Sequence, residues 1–182
     1  MKKHAMNLVF AAAAIFLTWG CSTKSDPTPA KATGKFTING NAYTEVASQD
    51  STSTTGGQTF NVLGVSGQSA DKSATAGLII FFRGSGKPKA GTYTVVGDLT
   101  KTVTANQCGM ILSDKVSIAK QGLYSTTGLD GTSVTVAVSS SGKLTVTMPS
   151  IAIKGSNFDN TDPNNTIITD VSGSVSGTIV EN

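Results

Sequence analysis

The sequence predicts an all-β fold: a single antiparallel β-sandwich of about nine strands, or alternatively a small closed β-barrel, with no substantial helix. Three observations support this prediction. Thr, Val and Ile, whose branched side chains favour strands, supply 25, 14 and 10 of the 162 residues from Cys21 onward. Glu, a strong helix former, occurs only twice. Apolar residues recur at every second position in short runs that are separated by turn residues.

The strands of the first half are predicted between residues 36 and 82. Residues 36–38 alternate apolar and polar and precede an Asn-Gly pair at 39–40, which is typical of a tight hairpin turn. A second strand region is predicted over 60–65 (FNVLGV). Before it, the low-complexity stretch 48–58 (SQDSTSTTGGQ) is predicted to form a long exposed loop. Residues 78–82 (LIIFF) are apolar throughout, which favours a central strand buried on both faces.

The second half contains the clearest pair of strands. After a predicted strand over 91–96, residues 134–138 (VTVAV) and 144–148 (LTVTM) alternate apolar and polar side chains on either side of a short turn, which predicts an antiparallel hairpin. The alternation changes parity at the Pro-Ser pair 149–150, and this predicts a bulge or a crossing between sheets. A terminal strand over 171–180 carries its apolar residues on one face.

The N-terminus has the pattern of an export signal. Two lysines at 2–3 precede an apolar run over 8–17 (LVFAAAAIFL), which is about half the length that a membrane-spanning helix needs. A Gly-Cys pair follows at 20–21. Residues 1–21 thus resemble the signal and lipobox of a bacterial lipoprotein. The small residues before Cys21 leave cleavage by an ordinary signal peptidase as the alternative.

This resemblance implies an order of segments. Residues 1–20 would be the signal peptide, Cys21 would become the acylated N-terminus, and Ser22 after it implies the outer membrane of a Gram-negative envelope. Residues 21–34 are expected to form the lipidated Cys and a flexible tether, because the stretch is polar and contains two prolines. Residues 35–182 would be the β-domain, which in architecture resembles the small all-β lipoproteins of Gram-negative envelopes.

Composition excludes several functions for the mature chain. His4, the single histidine, lies in the leader, so a histidine-dependent catalytic site cannot form and the protein is predicted not to be an enzyme. Beyond Cys21 one cysteine remains, Cys108, which is too few for a zinc site and is interpreted as a buried, inert thiol. Without Lys2 and Lys3 there are 12 basic and 11 acidic residues, a balance that does not support nucleic-acid binding. No cofactor is expected.

One segment has the composition of a cation site. Residues 157–165 (NFDNTDPNN) are rich in side-chain oxygen atoms, and Asp159 and Asp162 are candidate ligands for Ca²⁺. Asn, Asp and Pro are also the residues that turns use for backbone reasons. A plain loop between strands is therefore the preferred interpretation.

Four residues are candidates for ligand binding. Arg83 lies with Lys87 and Lys89 around a Gly-rich loop, where it could contact an anionic sugar or headgroup, or could be an ordinary solvated charge. Three tyrosines could supply an aromatic platform for a glycan, or could pack in the sheet with their hydroxyls at its rim. They are Tyr43, Tyr93 and Tyr124.

The sequence therefore predicts a non-enzymatic, lipid-anchored outer-membrane protein that binds a glycan or another envelope protein. Its partners would be the membrane, through Cys21, and that ligand, without nucleic acid. Two alternatives stay open. One is a structural subunit that adds a strand to a neighbour, which the Ser/Gly-rich strand over 171–180 suggests. The other is a small barrel that carries an apolar ligand in a lined cavity.

Overall fold

The computed structural model describes residues 34–182 apart from positions 118, 129, 130 and 163, so the predicted signal peptide, Cys21 and the tether up to residue 33 lie outside the described residues. The described chain forms ten β-strands and no helix, which confirms the all-β prediction. No helix long and apolar enough to span a membrane occurs among these residues. The strands are β1 (Lys35–Ile38), β2 (Asn41–Thr55), β3 (Gln58–Gln68), β4 (Thr75–Arg83), β5 (Gly91–Val95), β6 (Gln107–Lys115), β7 (Lys120–Thr126), β8 (Ser133–Val138), β9 (Leu144–Asp162) and β10 (Asn165–Val180).

The ten described strands join in one sheet. Their order is β10-β1-β2-β3-β4-β6-β5-β8-β9-β7, and in addition β9 pairs with β10 and β6 pairs with β7. Because the β9–β10 pairing connects the far part of this order to its first strand, the sheet runs in a hydrogen-bonded ring. Neighbouring described strands are antiparallel except β5 and β6, which pair in parallel at Thr94–Gln107 and Val95–Cys108. The predicted antiparallel arrangement is therefore correct for every described pair but this one.

β9 is the strand through which the ring closes. One of its edges pairs with β10 from residue 145 to residue 162. Its other edge pairs first with β8, over 144–147, and then with β7, over 153–159. All ten strands find their partners within residues 34–182, and Ala32–Asn182 forms one compact unit. This segment therefore contains a complete sheet and its own core.

A bulge marks the point at which β9 changes partner. Met148 lies opposite Gly177 of β10, but Ile151 lies opposite Val175, so β9 contains one extra residue at 149–150. A bulge bends the strand and increases its twist, which lets one strand take part in two pairings. The bulge predicted at these positions is confirmed, and so is the hairpin of β8 with the first part of β9.

The two ends of the ring differ in width. At one end the C-terminal halves of β6 and β9 are bridged by β7 alone. At the other end their N-terminal halves are bridged by β5 and β8 together. We call the narrower end the β7 end. The β1–β2 turn lies there as well, and its residues Asn39 and Gly40 have φ values of 51° and 84°, as the predicted tight hairpin requires.

The residues of β4 are buried on both faces of the sheet, as predicted for LIIFF. Leu78, Ile80 and Phe82 join the main core, whereas Ile79 and Phe81 face outward and are nevertheless buried. The loop over 96–106 crosses this outer face. Its Leu99 lies over Gly109, which is the register partner of Phe81.

Apolar side chains fill the interior of the ring. Each described strand contributes at least one buried side chain to a single core cluster, and burial of one such side chain stabilises the fold by roughly 1.5–3 kcal/mol. Cys108 of β6 belongs to this cluster and is fully buried, so the prediction of a buried thiol is confirmed. Burial raises the pKa of Cys108 to about 12, which keeps the thiol protonated and unreactive.

The prediction of a loop over 48–58 is wrong. Residues up to Thr55 belong to β2, and the turn occupies only Gly56 and Gly57. From Val46 onward no side chain of β2 is buried. Such a strand has no apolar alternation from which it could be predicted, and it is held mainly by backbone pairing with β3.

The two glutamates of the chain hold its C-terminus. The Glu45 carboxylate is fully buried and accepts the Val180 N–H at 2.9 Å. The Glu181 carboxylate accepts the Leu144 N–H at 2.9 Å and forms an ion pair with Lys87. The end of β10 is thus tied to β2 on one side and to the start of β9 on the other.

Replacement of Glu181 by Ala should lower the free energy of unfolding by about 1–3 kcal/mol, because the buried Leu144 N–H loses its acceptor. Urea denaturation checks this, as a lower midpoint at an unchanged slope. The control is Asp98→Ala, since the Asp98 side chain is 45% exposed and bonds within its own loop. Equal shifts in the two variants would show that Glu181 does not hold the C-terminus.

Candidate functional site

A cleft of about 500 Å³ opens at the β7 end of the ring. It lies above the point where the apolar core stops. Inward-facing positions of β6, β7, β9 and β10 form most of its walls, Gln121 and Phe158 border it from the outer face, and the β1–β2 turn closes one side. The lining residues are Asn39, Asn41, Asp114, Val116, Lys120, Gln121, Tyr124, Asn157, Phe158, Asp159, Ile167, Thr169 and Val171.

Asp114 is the buried acid of the cleft. It follows Met110 and Leu112 on the inward face of β6 and is only 4% exposed. Burial raises the pKa of Asp114, while hydrogen bonds from Tyr124, Asn41 and the Gly122 backbone oppose that shift. The carboxyl is therefore held in place at the cost of part of its hydration.

Tyr124 connects Asp114 to the opposite wall. Its hydroxyl lies 3.2 Å from Asp114 Oδ1 and 2.5 Å from Asn157 Oδ1, and shares its proton between these acceptors. Burial and the charge of Asp114 raise the pKa of Tyr124 to about 12. Three strands, β6, β7 and β9, thus place one polar group each at the same point.

Tyr43 lies beneath this cluster. It is 1% exposed, and its hydroxyl has no hydrogen-bond partner within the described residues. Burial, together with the nearby Asp114 carboxylate, raises the pKa of Tyr43 to about 12. A buried hydroxyl without a partner is costly, and in folded proteins such groups concentrate where the structure serves more than packing.

The rim of the cleft combines an ion pair with apolar side chains. Lys120 Nζ lies 3.4 Å from Asp159 Oδ2. Val116 and Ile167 are large apolar residues that remain 45% and 56% exposed. Convergent polar groups beside apolar surface in a concave site are typical of binding sites for small ligands. The cleft can accept hydrogen bonds at its floor and pack an apolar face against its rim.

The structure brings only one of the predicted tyrosines to this site. Tyr124 lines the cleft, Tyr43 lies under it, and Tyr93 is buried at the far end, where its hydroxyl donates to the Lys89 carbonyl at 2.9 Å. All three rings are buried, so none forms an exposed platform. The hydroxyls of Tyr93 and Tyr124 make polar contacts, whereas the Tyr43 hydroxyl has no hydrogen-bond partner among the described residues.

Arg83 is engaged within the fold. Its guanidinium donates to the Thr59 carbonyl at 2.7 Å and to the Val103 carbonyl at 3.1 Å, and it lies 5.8 Å from the centre of the Phe60 ring. Lys87 of the same basic group pairs with Glu181. These contacts anchor the 96–106 loop and the C-terminus, which leaves little of this basic group for a ligand.

The segment with the two candidate calcium ligands is mostly strand. β9 runs to Asp162 and β10 begins at Asn165, so most of the plain loop expected over 157–165 belongs to strands. Asp159 accepts bonds from Thr161 and pairs with Lys120, and Asp162 accepts the Asn164 N–H. Among the described residues no group of three or more His, Cys, Asp or Glu side chains could hold a metal ion.

Asp114 is the central residue of the cleft that sequence reasoning missed. A signal for Asp114 existed: it continues the buried alternation of Cys108, Met110 and Leu112, where a carboxylate is unexpected. Asn157 lies in the oxygen-rich segment 157–165 that the sequence marked as a candidate cation site, but its contact with Tyr124 of β7 was not predicted.

Comparison with known proteins adds no further information about the site. No family model matches the chain, and searches of curated proteins and of solved structures find no match.

Replacement of Asp114 by Asn should raise stability relative to the unaltered protein progressively as the pH increases. The folded-state pKa of Asp114 is raised, so its ionisation opposes folding once the pH passes the ordinary carboxyl range. Asn cannot ionise and escapes this cost. Urea denaturation of both proteins from acidic to neutral pH measures the difference.

The control for this prediction is Asp71→Asn, which should change with pH in the opposite direction. Ser69 and Ser73 lower the pKa of Asp71 to about 2, so this carboxylate stabilises the fold above the ordinary carboxyl range and loses that effect as the pH falls. A pH-independent difference for Asp114→Asn would contradict the assignment of a buried, destabilising charge.

Proposed function

We propose that this protein is a non-enzymatic, lipid-anchored protein of the outer membrane that binds a glycan in the cleft at the β7 end. The observation that carries the proposal is the convergence of Asp114, Tyr124 and Asn157 from three strands beside exposed apolar side chains. Sugars present the complementary chemistry, since ring hydroxyls donate to carboxylate and amide oxygens while C–H faces pack on apolar surface.

The buried acid supports a binding role over a purely structural one. A carboxyl whose pKa is raised by burial costs stability, and a neutral or apolar residue on the same inward face would avoid this cost. Proteins retain such groups where a site needs them. Asp114 lies at the open end of the ring and not within the core, which places it within reach of a ligand.

The packing of the ring favours the cleft over an internal cavity. Buried side chains such as Leu78, Met110 and Val146 fill the interior, so a carried apolar ligand would have to displace core residues. Interiors of proteins are close-packed, and displacement of this kind is expensive. This observation argues against the alternative of a small apolar-ligand carrier.

The chain enters the ring at the end opposite the cleft, which leaves the cleft accessible to a ligand. β1 begins at Lys35, opposite Thr178, and runs toward Ile38, opposite Val175, so the chain enters the ring away from the β7 end. A tether of 13 residues after Cys21 has a root-mean-square reach of about 20 Å.

Replacement of Asp114 by Asn should weaken glycan binding by roughly tenfold to a hundredfold, which is the effect of losing a charged hydrogen bond of about 1.5–3 kcal/mol. A glycan array of bacterial and host sugars identifies the ligand, and calorimetry then compares the variant with the unaltered protein. Asp98→Asn, outside the cleft, is the matched control. A protein that binds no sugar on the array, or binds one equally well without Asp114, rules out this function for the cleft.

Replacement of Cys21 by Ser should release the protein from the membrane fraction. Intact-mass analysis of the unaltered protein should show the mass of the acyl chains on a chain that begins at Cys21, since several chains hold a protein stably on a bilayer. An unacylated product that begins after residue 20 would instead identify ordinary secretion, and the binding site would be unaffected by that result.

A further inference from the structure

The outer edge of β10 near the β7 end has no strand beside it in the described part of the chain. β9 pairs with one edge of β10, but β1 pairs with the other edge only from Val175 to Thr178. Beyond these residues Ser174 contacts the β1–β2 turn through Asn39. Along 165–173 the second edge is therefore open.

The open edge exposes backbone groups at every second residue. Ser174 turns both its N–H and its C=O toward Asn39, so these groups point away from β9. Along a strand the N–H and C=O groups of successive residues point alternately to its two edges. The backbone groups of Ile168, Asp170 and Ser172 therefore point out from the same edge as those of Ser174. Such a row of donors and acceptors is a template for another strand.

The side chains of this edge do not protect it. Proteins usually blunt an exposed edge with Lys, Pro or several charges. Residues 165–173 contain no Lys and no Pro, and Asp170 is their one charged residue. Ile167 and Ile168 are 56% and 61% exposed, and Ile168 adjoins Phe158 on the outer face of the β9–β10 pair.

We propose that a second copy of this chain pairs with this edge, so that the two β10 strands run antiparallel about a two-fold axis at Ile168. The same outward row then satisfies both copies, and the Ile168 side chains lie opposite each other. In this register Asp170 of each copy faces Thr166 of the other, so no like charges meet across the axis. The Asp170 carboxylate accepts a hydrogen bond from Ser156 of its own hairpin. The edge is thus complementary to itself in backbone and apolar surface, and its one charged residue does not oppose the pairing.

Pairing at this edge does not involve the side chains that line the cleft, so it is independent of glycan binding. Ile168 points away from the cleft, whereas Ile167, Thr169 and Val171 line it. The dimer would place two clefts on neighbouring parts of one continuous sheet. Loss of the dimer should leave the affinity of each cleft unchanged.

Sedimentation velocity of residues 22–182, which include the complete ring, tests the proposal across micromolar to millimolar protein concentrations. We expect the mass to double with increasing concentration. Ile168→Lys, which opposes two charges at the axis, should keep the protein monomeric. Val46→Lys is the matched control, because Val46 is 49% exposed on β2, outside this edge. A monomer at every concentration, or equal effects of the two lysines, overturns the proposal.

Hydrogen exchange identifies what covers the edge. The amides of Ile168, Asp170 and Ser172 should become protected as the dimer forms and should exchange fast at concentrations where the protein is monomeric. Protection of these amides in the monomer would show that another segment of the same chain covers the edge. Dimerisation without their protection would assign the interface elsewhere, and either result contradicts pairing through β10.

Discussion

The pairing of β9 with β10 is the interaction on which the rest of the structure depends. It extends over residues 145–180, and each strand then offers its second edge to other strands: β10 to β1, and β9 to β8 and β7. Without it the remaining strands would form an open sheet with two long edges. Backbone groups in an all-β protein are satisfied between strands, so closure at this hairpin decides how many of them find partners.

The same pairing explains the position of the cleft. After the bulge at 149–150, β9 leaves β8 and continues along β7 toward the narrow end of the ring. There it carries Asn157 to Tyr124, and β6 brings Asp114 to the same hydroxyl. Apolar side chains fill the interior of the ring, and at this end polar side chains take the same inward-facing positions. The fold therefore tolerates a buried carboxyl, and a Tyr43 hydroxyl without a partner among the described residues, where its core is already complete.

Local patterns were sufficient to predict the parts of the fold that short-range physics determines. The Asn39-Gly40 turn, the doubly buried LIIFF strand and the bulge at 149–150 each depend on the residues themselves. The exposed part of β2 was missed because a solvated strand has no apolar period. The cleft was missed because alternation tells which side of a strand a residue occupies, but only ring closure decides which inward positions meet. For this reason the sequence left open whether the tyrosines form a surface platform or pack in the sheet, and the structure buries all three rings.

The first and last described strands lie side by side. β1 pairs with β10 from Lys35–Thr178 to Ile38–Val175, and the final residues are fixed by Glu45 and Glu181. Contacts between residues so far apart in the sequence slow folding, because the chain between them must lose conformational entropy before they form. During translation the ring cannot close until β10 has left the ribosome. The strands made before it therefore stay in an open arrangement, whose unpaired edges a holdase chaperone can bind.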